Sequence, residues 1–400
     1  MYNVRKINDS YFYIGCNDRR IALFESVYPV PEGVSYNSYF LNDEKTVLFD
    51  TVDKCYSGQF FDNLEYVLDK KKLDYFVINH IEPDHSALIK DVIEKYPNVK
   101  IVCNQKLKQM LYQFFEFDID IENNFYIVKE NDTLSTGKHN FTFVMAPMVH
   151  WPEVMVTYDN TDKILFSADA FGSFGAIDGN LFDEETVLNI DEYRRYYTNI
   201  VGKYGPQVLS LLNKAKTLDI KMICPLHGVI LKKEISALID KYLHWAAYEP
   251  EIKSVLVVYS SVYGGTQNTS DILASKLAEN GIKNIKTYDI SHSVSSVVLS
   301  QAFKYSHIVL ATTTYNNEIF VSMDNFTNDL VKHNLINRTF AIIENGSWAC
   351  NCGDSLKTKL EKLKNTKILE NKISVKSALK KSQIAEIEQL TKSIADDINK

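Results

Sequence analysis

The segment NHIEPDHS, residues 79–86, brings two imidazoles and two carboxylates together in six positions: His80, Glu82, Asp84 and His85. Ring nitrogen with carboxylate oxygen is a donor set for iron, zinc or manganese, and the lack of thiolates disfavours softer metals. The same residue types recur singly at three later points, each after an apolar run. His150 follows VMAPMV, Asp169 follows KILFSA, and His227 follows MICPL. Seven ligands are too many for one tetrahedral zinc. They suit two metals that share a bridging carboxylate. One histidine alone is more often core or surface decoration than a ligand. For the set that explanation fails, because the remaining five (His139, His244, His292, His307 and His333) have no comparable carboxylate neighbours in sequence.

A second group of residues could hold a phosphate. YSSVYGGTQNTS, residues 259–270, joins an apolar run to a helical pattern and is rich in hydroxyls and glycine. Backbone N–H groups and Ser or Thr hydroxyls at a helix N-terminus cradle phosphates. No Lys follows the glycines, which excludes a Walker A loop, and GxGxxG is absent as well. Taken alone, the loop reads equally well as a capped turn.

Both groups need elements to position them. Before residue 250 the chain opens with short aromatic and β-branched runs, at 11–18, 21–26, 35–42 and 45–51, bounded by turn formers. A helix near 59–69 and a buried strand, 74–80, lead into the His80 motif. Helices are expected from Ser86 and Lys106 with a strand between them. A second β-rich stretch covers 141–150, 153–159 and 163–169, then a helical region at 190–218, a strand ending at Leu226 and a helix at 232–247. This order predicts two sheets between helices, an α/β sandwich. After the linker YEPEIKS, residues 248–254, strand and helix alternate strictly through five repeats, which predicts a doubly wound parallel sheet. The boundary is placed at 250, giving domains 1–250 and 251–400.

Composition agrees with two soluble domains. The 400 residues are 45% hydrophobic and 24% charged, as in ordinary globular chains. No apolar run approaches the roughly 20 residues of a membrane span, and the opening MYNVRKINDSYFYIGCND lacks the apolar stretch of a signal peptide. A cytoplasmic location without membrane contact is expected. The net charge of -7 argues against nucleic acid as the main partner. Residues 251–400 hold 18 Lys+Arg against 15 Asp+Glu, net +3, which leaves 26 against 36, net -10, for residues 1–250. Six cysteines are too few for a disulfide scaffold. With no CxxC, a zinc ribbon, a thioredoxin-type motif and a fused rubredoxin are all excluded.

The order His80-x-Glu82-x-Asp84-His85, then His150, Asp169 and His227, resembles the metallo-β-lactamase fold in its flavodiiron version. The hydrolase branch of that fold carries HxHxDH and usually zinc; here Glu82 stands in place of the second histidine. MVHWPEVM and SADAFGSFG match the flavodiiron contexts of the third histidine and the bridging aspartate. The resemblance implies that His80, Glu82 and His150 hold one non-haem iron and Asp84, His85 and His227 the other, with Asp169 between them. An anionic carboxylate in place of an imidazole favours the higher oxidation states an oxidase visits. Asp50, in VLFDT, is read as structural.

The second half resembles flavodoxin, in which FMN sits at the switch point of the sheet. Ser261, Val262, Tyr263, Gly264, Gly265 and Thr266 match the phosphate loop. Thr313, Thr314, Tyr315, Asn316 and Asn317 match one flavin-ring loop, and Asn345, Gly346, Ser347 and Trp348 the other. The chain departs from the family at Thr313, where Pro is common, and at Ile343, Glu344 and Asn345, where a phenylalanine-glycine-serine run is usual. Trp348 is expected on the flavin, on a partner subunit or as a hydrophobic plug. Cys350 and Cys352, one residue apart, are expected to be ordinary loop residues.

Together the two halves resemble a flavodiiron protein over essentially the whole chain. That resemblance implies an oxidoreductase with a di-iron centre and FMN that reduces dioxygen to water, nitric oxide to nitrous oxide, or both. It further implies a head-to-tail homodimer or a dimer of such dimers, and an external donor such as rubredoxin or a flavin reductase. The competing readings are a metallo-hydrolase with a flavodoxin passenger and a non-enzymatic flavin carrier.

Overall fold

Period-two alternation builds the first half of the computed structural model, which describes residues 2–400. Seven strands form one sheet in the order Arg5–Lys6, Tyr11–Tyr13, Tyr39–Leu41, Val47–Phe49, Tyr75–Val77, Lys100–Asn104 and Phe125–Val128. A second sheet of five runs Thr133–Ser135, Asn140–Met145, Met155–Asp159, Ile164–Phe166 and Met222–Cys224. Alternate side chains of the first sheet (Tyr11 and Tyr13, Tyr39 and Leu41, Val47 and Phe49) join Phe141, Phe143, Met155 and Phe166 of the second in one buried cluster. The sheets therefore pack face to face. Phe49 stacks on Phe166 with ring centroids 4.0 Å apart and planes 7° apart, and Phe141 meets Phe49 at 5.6 Å. The opposite faces are also apolar. Val144, Val156 and Leu165 adjoin Leu211, Leu212 and Ala215 of the helix Gly205–Ala215. This is the α/β sandwich expected from the sequence.

From Ile252 the chain alternates as predicted. The strands Lys286–Asp289, Ile252–Tyr259, Tyr305–Tyr315, Thr339–Asn345 and Lys367–Ile368 lie in that spatial order, all parallel. This is the flavodoxin-like strand order. The fifth repeat differs from expectation. In place of one strand near 367–375 there are two short ones, Lys367–Ile368 and Ile373–Val375, both beside Thr339–Asn345. The helical region expected over 190–218 consists of Ile190–Tyr196, a π turn at Tyr197–Val201, a 3-10 turn at Gly202–Tyr204 and the helix Gly205–Ala215. Pro206 has no N–H to donate, so it fits only a first helical turn and forces a restart there.

The chain forms two compact units. One is Met1–Tyr197 with Pro206–Leu243; the other is Thr198–Gly205 with His244–Lys400. Among the described residues no helix is long and apolar enough to cross a membrane.

The face-to-face contact has a measurable weight. Phe141, fully buried and distant in sequence from the His80 motif, is expected to cost about 3–5 kcal/mol when replaced by Ala. Denaturant unfolding of Phe141→Ala checks this; a loss below about 1 kcal/mol would show that the sheets are not held at this contact.

Candidate functional site

Four strand ends of the sandwich deliver the seven sequence-singled donors to one place. His80 and Glu82 follow Tyr75–Val77, and the short helix Pro83–Ser86 carries Asp84 and His85. His150 follows Asn140–Met145, Asp169 follows Ile164–Phe166, and His227 follows Met222–Cys224. Their donor atoms fall into two groups, one of His80, Glu82, His150 and Asp169, the other of Asp84, His85 and His227. Asp169 faces both. Its Oδ2 lies 3.4 Å from His80 Nε2 and 3.2 Å from His150 Nε2, while its Oδ1 lies 3.7 Å from His85 Nε2 and 3.5 Å from His227 Nε2. Within the groups, Glu82 Oε2 is 3.0 Å from His150 Nε2, and Asp84 Oδ2 is 3.1 Å from His227 Nε2.

Apart from the Glu82–His150 hydrogen bond, these donors converge without satisfying one another. His80 Nε2, His85 Nε2, His227 Nε2 and both carboxylate oxygens of Asp84 and Asp169 are buried and have no hydrogen-bond partner. Orphaned buried polar atoms are costly. Ligands about 2.1 Å from one cation lie roughly 3.0–3.4 Å apart at octahedral to tetrahedral angles, close to the spacings found here. Nitrogen and oxygen donors without thiolate suit iron, zinc or manganese. The residues present fit a metal pair.

Electrostatics in the metal-free chain point the same way. Burial disfavours a charged His150, yet the Asp169 and Glu82 carboxylates beside it hold its pKa up at about 9. Burial likewise opposes protonation of His227, and Asp84 and Asp169 hold it up at about 9. Glu82 and Asp169 are both held well below the ordinary carboxylate range despite burial, Glu82 by His150 and His80, Asp169 chiefly by His85 and His150. Protons thus stand where cations would.

The supporting residues lie outside the motif, and sequence reasoning missed most of them. Asn79 N–H and Nδ2 both donate to Asp50 at 2.7 Å. Asp50 is structural, as read from the sequence, but it is spatially beside the motif, since His80 N–H also points at it from 3.4 Å. Thr51 N–H and Oγ1 both donate to the His85 carbonyl, at 2.8 and 2.9 Å. Met155 N–H donates to the Asn79 carbonyl at 3.0 Å, and Thr157 Oγ1 donates to Asn79 Oδ1 at 2.7 Å. The second sheet is thereby tied to the first at the site. Glu153 lies 2.6 Å from His80 Nδ1, and the Ser35 carbonyl lies 2.7 Å from His227 Nδ1. Trp151 stands edge-on to His80 at 5.3 Å, while Phe24 and Tyr196 each approach His227 at 5.5 Å. A cavity of about 360 Å³ opens onto Glu82 and Asp84, walled by Leu23, Phe24, Glu25 and Tyr36.

Four of the histidines set aside on sequence also find carboxylates: His244 Nδ1 is 2.9 Å from Glu249 and His292 Nδ1 is 2.8 Å from Asp289, both at the surface, and the other two are more buried. His139 Nδ1 is 2.8 Å from Asp159, and His307 Nε2 is 3.2 Å from Asp397. Asp159 additionally accepts from Tyr11 and from the Thr161 and Asp162 N–H groups, so its lone pairs are occupied.

In the second unit, the three loops singled out on sequence follow the strands Ile252–Tyr259, Tyr305–Tyr315 and Thr339–Asn345 at their carboxyl ends. Asn345 Nδ2 donates to Thr266 Oγ1 at 3.2 Å, and Asn351 Nδ2 donates to Asn317 Oδ1 at 2.9 Å, which brings the loops together. Gly264, with φ +86°, precedes the 15-residue helix Gly265–Glu279, whose first turn has no side-chain cap and no acidic residue. Its N–H groups suit an anion. A Cβ at Gly265 would meet the Ser377 carbonyl at 2.2 Å, so only glycine fits there. Val262 and Tyr315 are exposed as well, while Tyr263 and Trp348 are 99% and 96% exposed, which rules out the plug reading of Trp348. Cys350 and Cys352 are free thiols directed at different carbonyls, those of Val375 and Thr312.

Residues 34–228 match the model of the ODP family beta lactamases. The chain is 32% identical over 324 residues to the uncharacterized protein MJ0732 of Methanocaldococcus jannaschii, covering 81% of this chain and 80% of that protein. It is 29% identical over 364 residues to the anaerobic nitric oxide reductase flavorubredoxin of Klebsiella pneumoniae, covering 89% and 74%. Its fold superposes on the rubredoxin oxygen:oxidoreductase of Desulfovibrio gigas, a flavodiiron protein, with a TM-score of 0.93, 26% identity and 99% of both chains covered. With its donor set, its sandwich and its parallel sheet in the family order, the chain belongs to the flavodiiron proteins.

Proposed function

We propose that this chain is an oxidoreductase that reduces dioxygen to water, nitric oxide to nitrous oxide, or both, at a non-haem di-iron centre supplied with electrons through FMN. The observation that carries this reading is Asp169, one carboxylate oxygen directed at each group of donors. His80, Glu82 and His150 would hold one iron, Asp84, His85 and His227 the other, and Asp169 would be shared between them. The iron pair, when bound, supplies one-electron redox steps and open positions for a small gas. FMN, when bound, accepts electron pairs and releases them singly.

The protein's own part is to orient and to exclude. Phe24, Tyr36, Trp151 and Tyr196 place aromatic rings around the histidines and keep bulk water from their nitrogens. The cavity at Glu82 and Asp84 gives a diatomic gas its approach. Glu82 adds a negative charge that a histidine would not, which suits redox cycling better than hydrolysis. The flavin domain, 251–400, would hold the FMN phosphate on Ser261, Val262, Tyr263, Gly264, Gly265 and Thr266. Thr313, Thr314, Tyr315, Asn316 and Asn317, with Asn345, Gly346, Ser347 and Trp348, would contact its ring. The names of the Desulfovibrio and Klebsiella proteins, one an oxygen and one a nitric oxide reductase, support the pair of substrates. The same reading places the protein in the cytoplasm as a head-to-tail homodimer or a dimer of such dimers, the flavin domain of one copy serving the metal domain, 1–250, of the other. Its donor is rubredoxin or a flavin reductase.

Metal and flavin analysis followed by anaerobic reduction and challenge with each gas tests the proposal. The expected outcome is two irons and one FMN per chain, with consumption of at least one gas. Zinc without iron would favour a hydrolase, and an iron-loaded, reduced protein inert to both gases would favour an electron carrier. Asp169→Ala is expected to lower iron content and to slow gas consumption by at least the roughly 10–100-fold that loss of an outer partner costs, with FMN content unchanged.

The metal-free chain should also respond to pH. His150 and His227 keep their protons to about pH 9, against about 6.5 in an unfolded chain. Their pairing with Glu82, Asp84 and Asp169 is therefore fully present below about pH 6.5 and lost as pH rises through about 9. The melting temperature of the metal-free chain is expected to fall by several degrees across that interval. The iron-loaded chain, its cations in place of the protons, should not share the fall.

A further inference from the structure

We propose that Glu153 is a positioning residue that locks the His80 ring with Nε2 toward the metal pair and makes the His80, Glu82, His150 side the more firmly held half of the centre. The inference rests on the di-iron reading above and goes beyond it by distinguishing the two metals.

The two sides have the same donor types, two histidines and one carboxylate of their own plus a share of Asp169. What differs is the support behind the rings. His80 and Glu153 are both fully buried, and Glu153 Oε1 lies 2.6 Å from His80 Nδ1. The same oxygen accepts from Ile81 N–H at 3.1 Å, and the Glu153 carbonyl accepts from Asn104 Nδ2 at 2.6 Å, so the residue is fixed at both ends. A carboxylate on Nδ1 requires the proton there, leaves the Nε2 lone pair for a metal and makes that nitrogen a stronger donor. On the other side His227 Nδ1 meets only the neutral Ser35 carbonyl, at 2.7 Å. His85 Nδ1 is buried with no partner. Of these three rings only His80 has a carboxylate on Nδ1, at 2.6 Å. Charge-assisted bonds of this length are the strong ones.

The test is a chelator challenge of the reduced, iron-loaded full chain with a ferrous chelator, the retained iron being counted at each concentration. In the unaltered chain two steps of release are expected. In Glu153→Gln, which keeps the shape and removes the charge, the later step should move to chelator concentrations roughly 10–100-fold lower while the earlier step stays in place. A later step that does not move overturns the proposal, as does an equal shift of both steps, which would mark Glu153 as a general support of the fold. Release from the unaltered chain in a single step overturns it too. Were the unaltered chain to bind no iron at all, the di-iron reading itself would fail, a distinct result. If Glu153→Gln does not accumulate as folded protein, Glu153→Asp, which keeps the charge but draws it back by one methylene, is measured by the same criterion.

Discussion

Three carboxylates confined at the edge of a sandwich govern everything else in this molecule. Glu82, Asp84 and Asp169 sit among four histidine rings with little access to water. Like charges held this closely are unstable unless cations stand between them. In the metal-free chain protons on the histidines serve that purpose. The surrounding architecture, with four strand ends from two sheets converging at one rim, keeps the donors from moving apart to relieve the strain of their charge.

Much of this was legible in the sequence, for identifiable reasons. The His80 to His85 cluster is contiguous, so its chemistry is visible without any fold. His150, Asp169 and His227 each close an apolar run, and strand ends are where such sheets present functional groups. The alternation after residue 250 is regular enough to give the strand sequence of the second unit directly. Less was legible where backbone geometry decides. The expected strand at 21–26 shrinks to Leu23–Phe24 because Glu25 and Ser26 take positive φ, 49° and 58°, in a tight hairpin. Glu153 looks like one more surface charge beside a proline; only the approach of the two sheets reveals His80 against it. Ser35 and Asp50 were invisible as supports for the same reason, since one acts through a carbonyl and the other accepts from Asn79 and His80, 29 and 30 residues on in sequence.

The two units differ in how their chemistry is protected. In the first, donors are enclosed by aromatic rings, with a cavity opening onto Glu82 and Asp84. In the second, three loops lie at a sheet edge with Tyr263 and Trp348 almost wholly in water. Enclosure in one unit and openness in the other accord with their proposed tasks, one handling a small gas and the other a planar cofactor that must meet another redox group.

Asn79 shows how little slack the rim contains. Its N–H and side-chain amide are engaged by Asp50, its side-chain oxygen by Thr157 and its carbonyl by Met155. One residue is therefore both the hinge pin between the layers and the anchor of the adjoining ligand loop. Sliding of one layer over the other would rupture this rivet before it could retune the pair of metals by degrees, so the centre is built to be whole or lost.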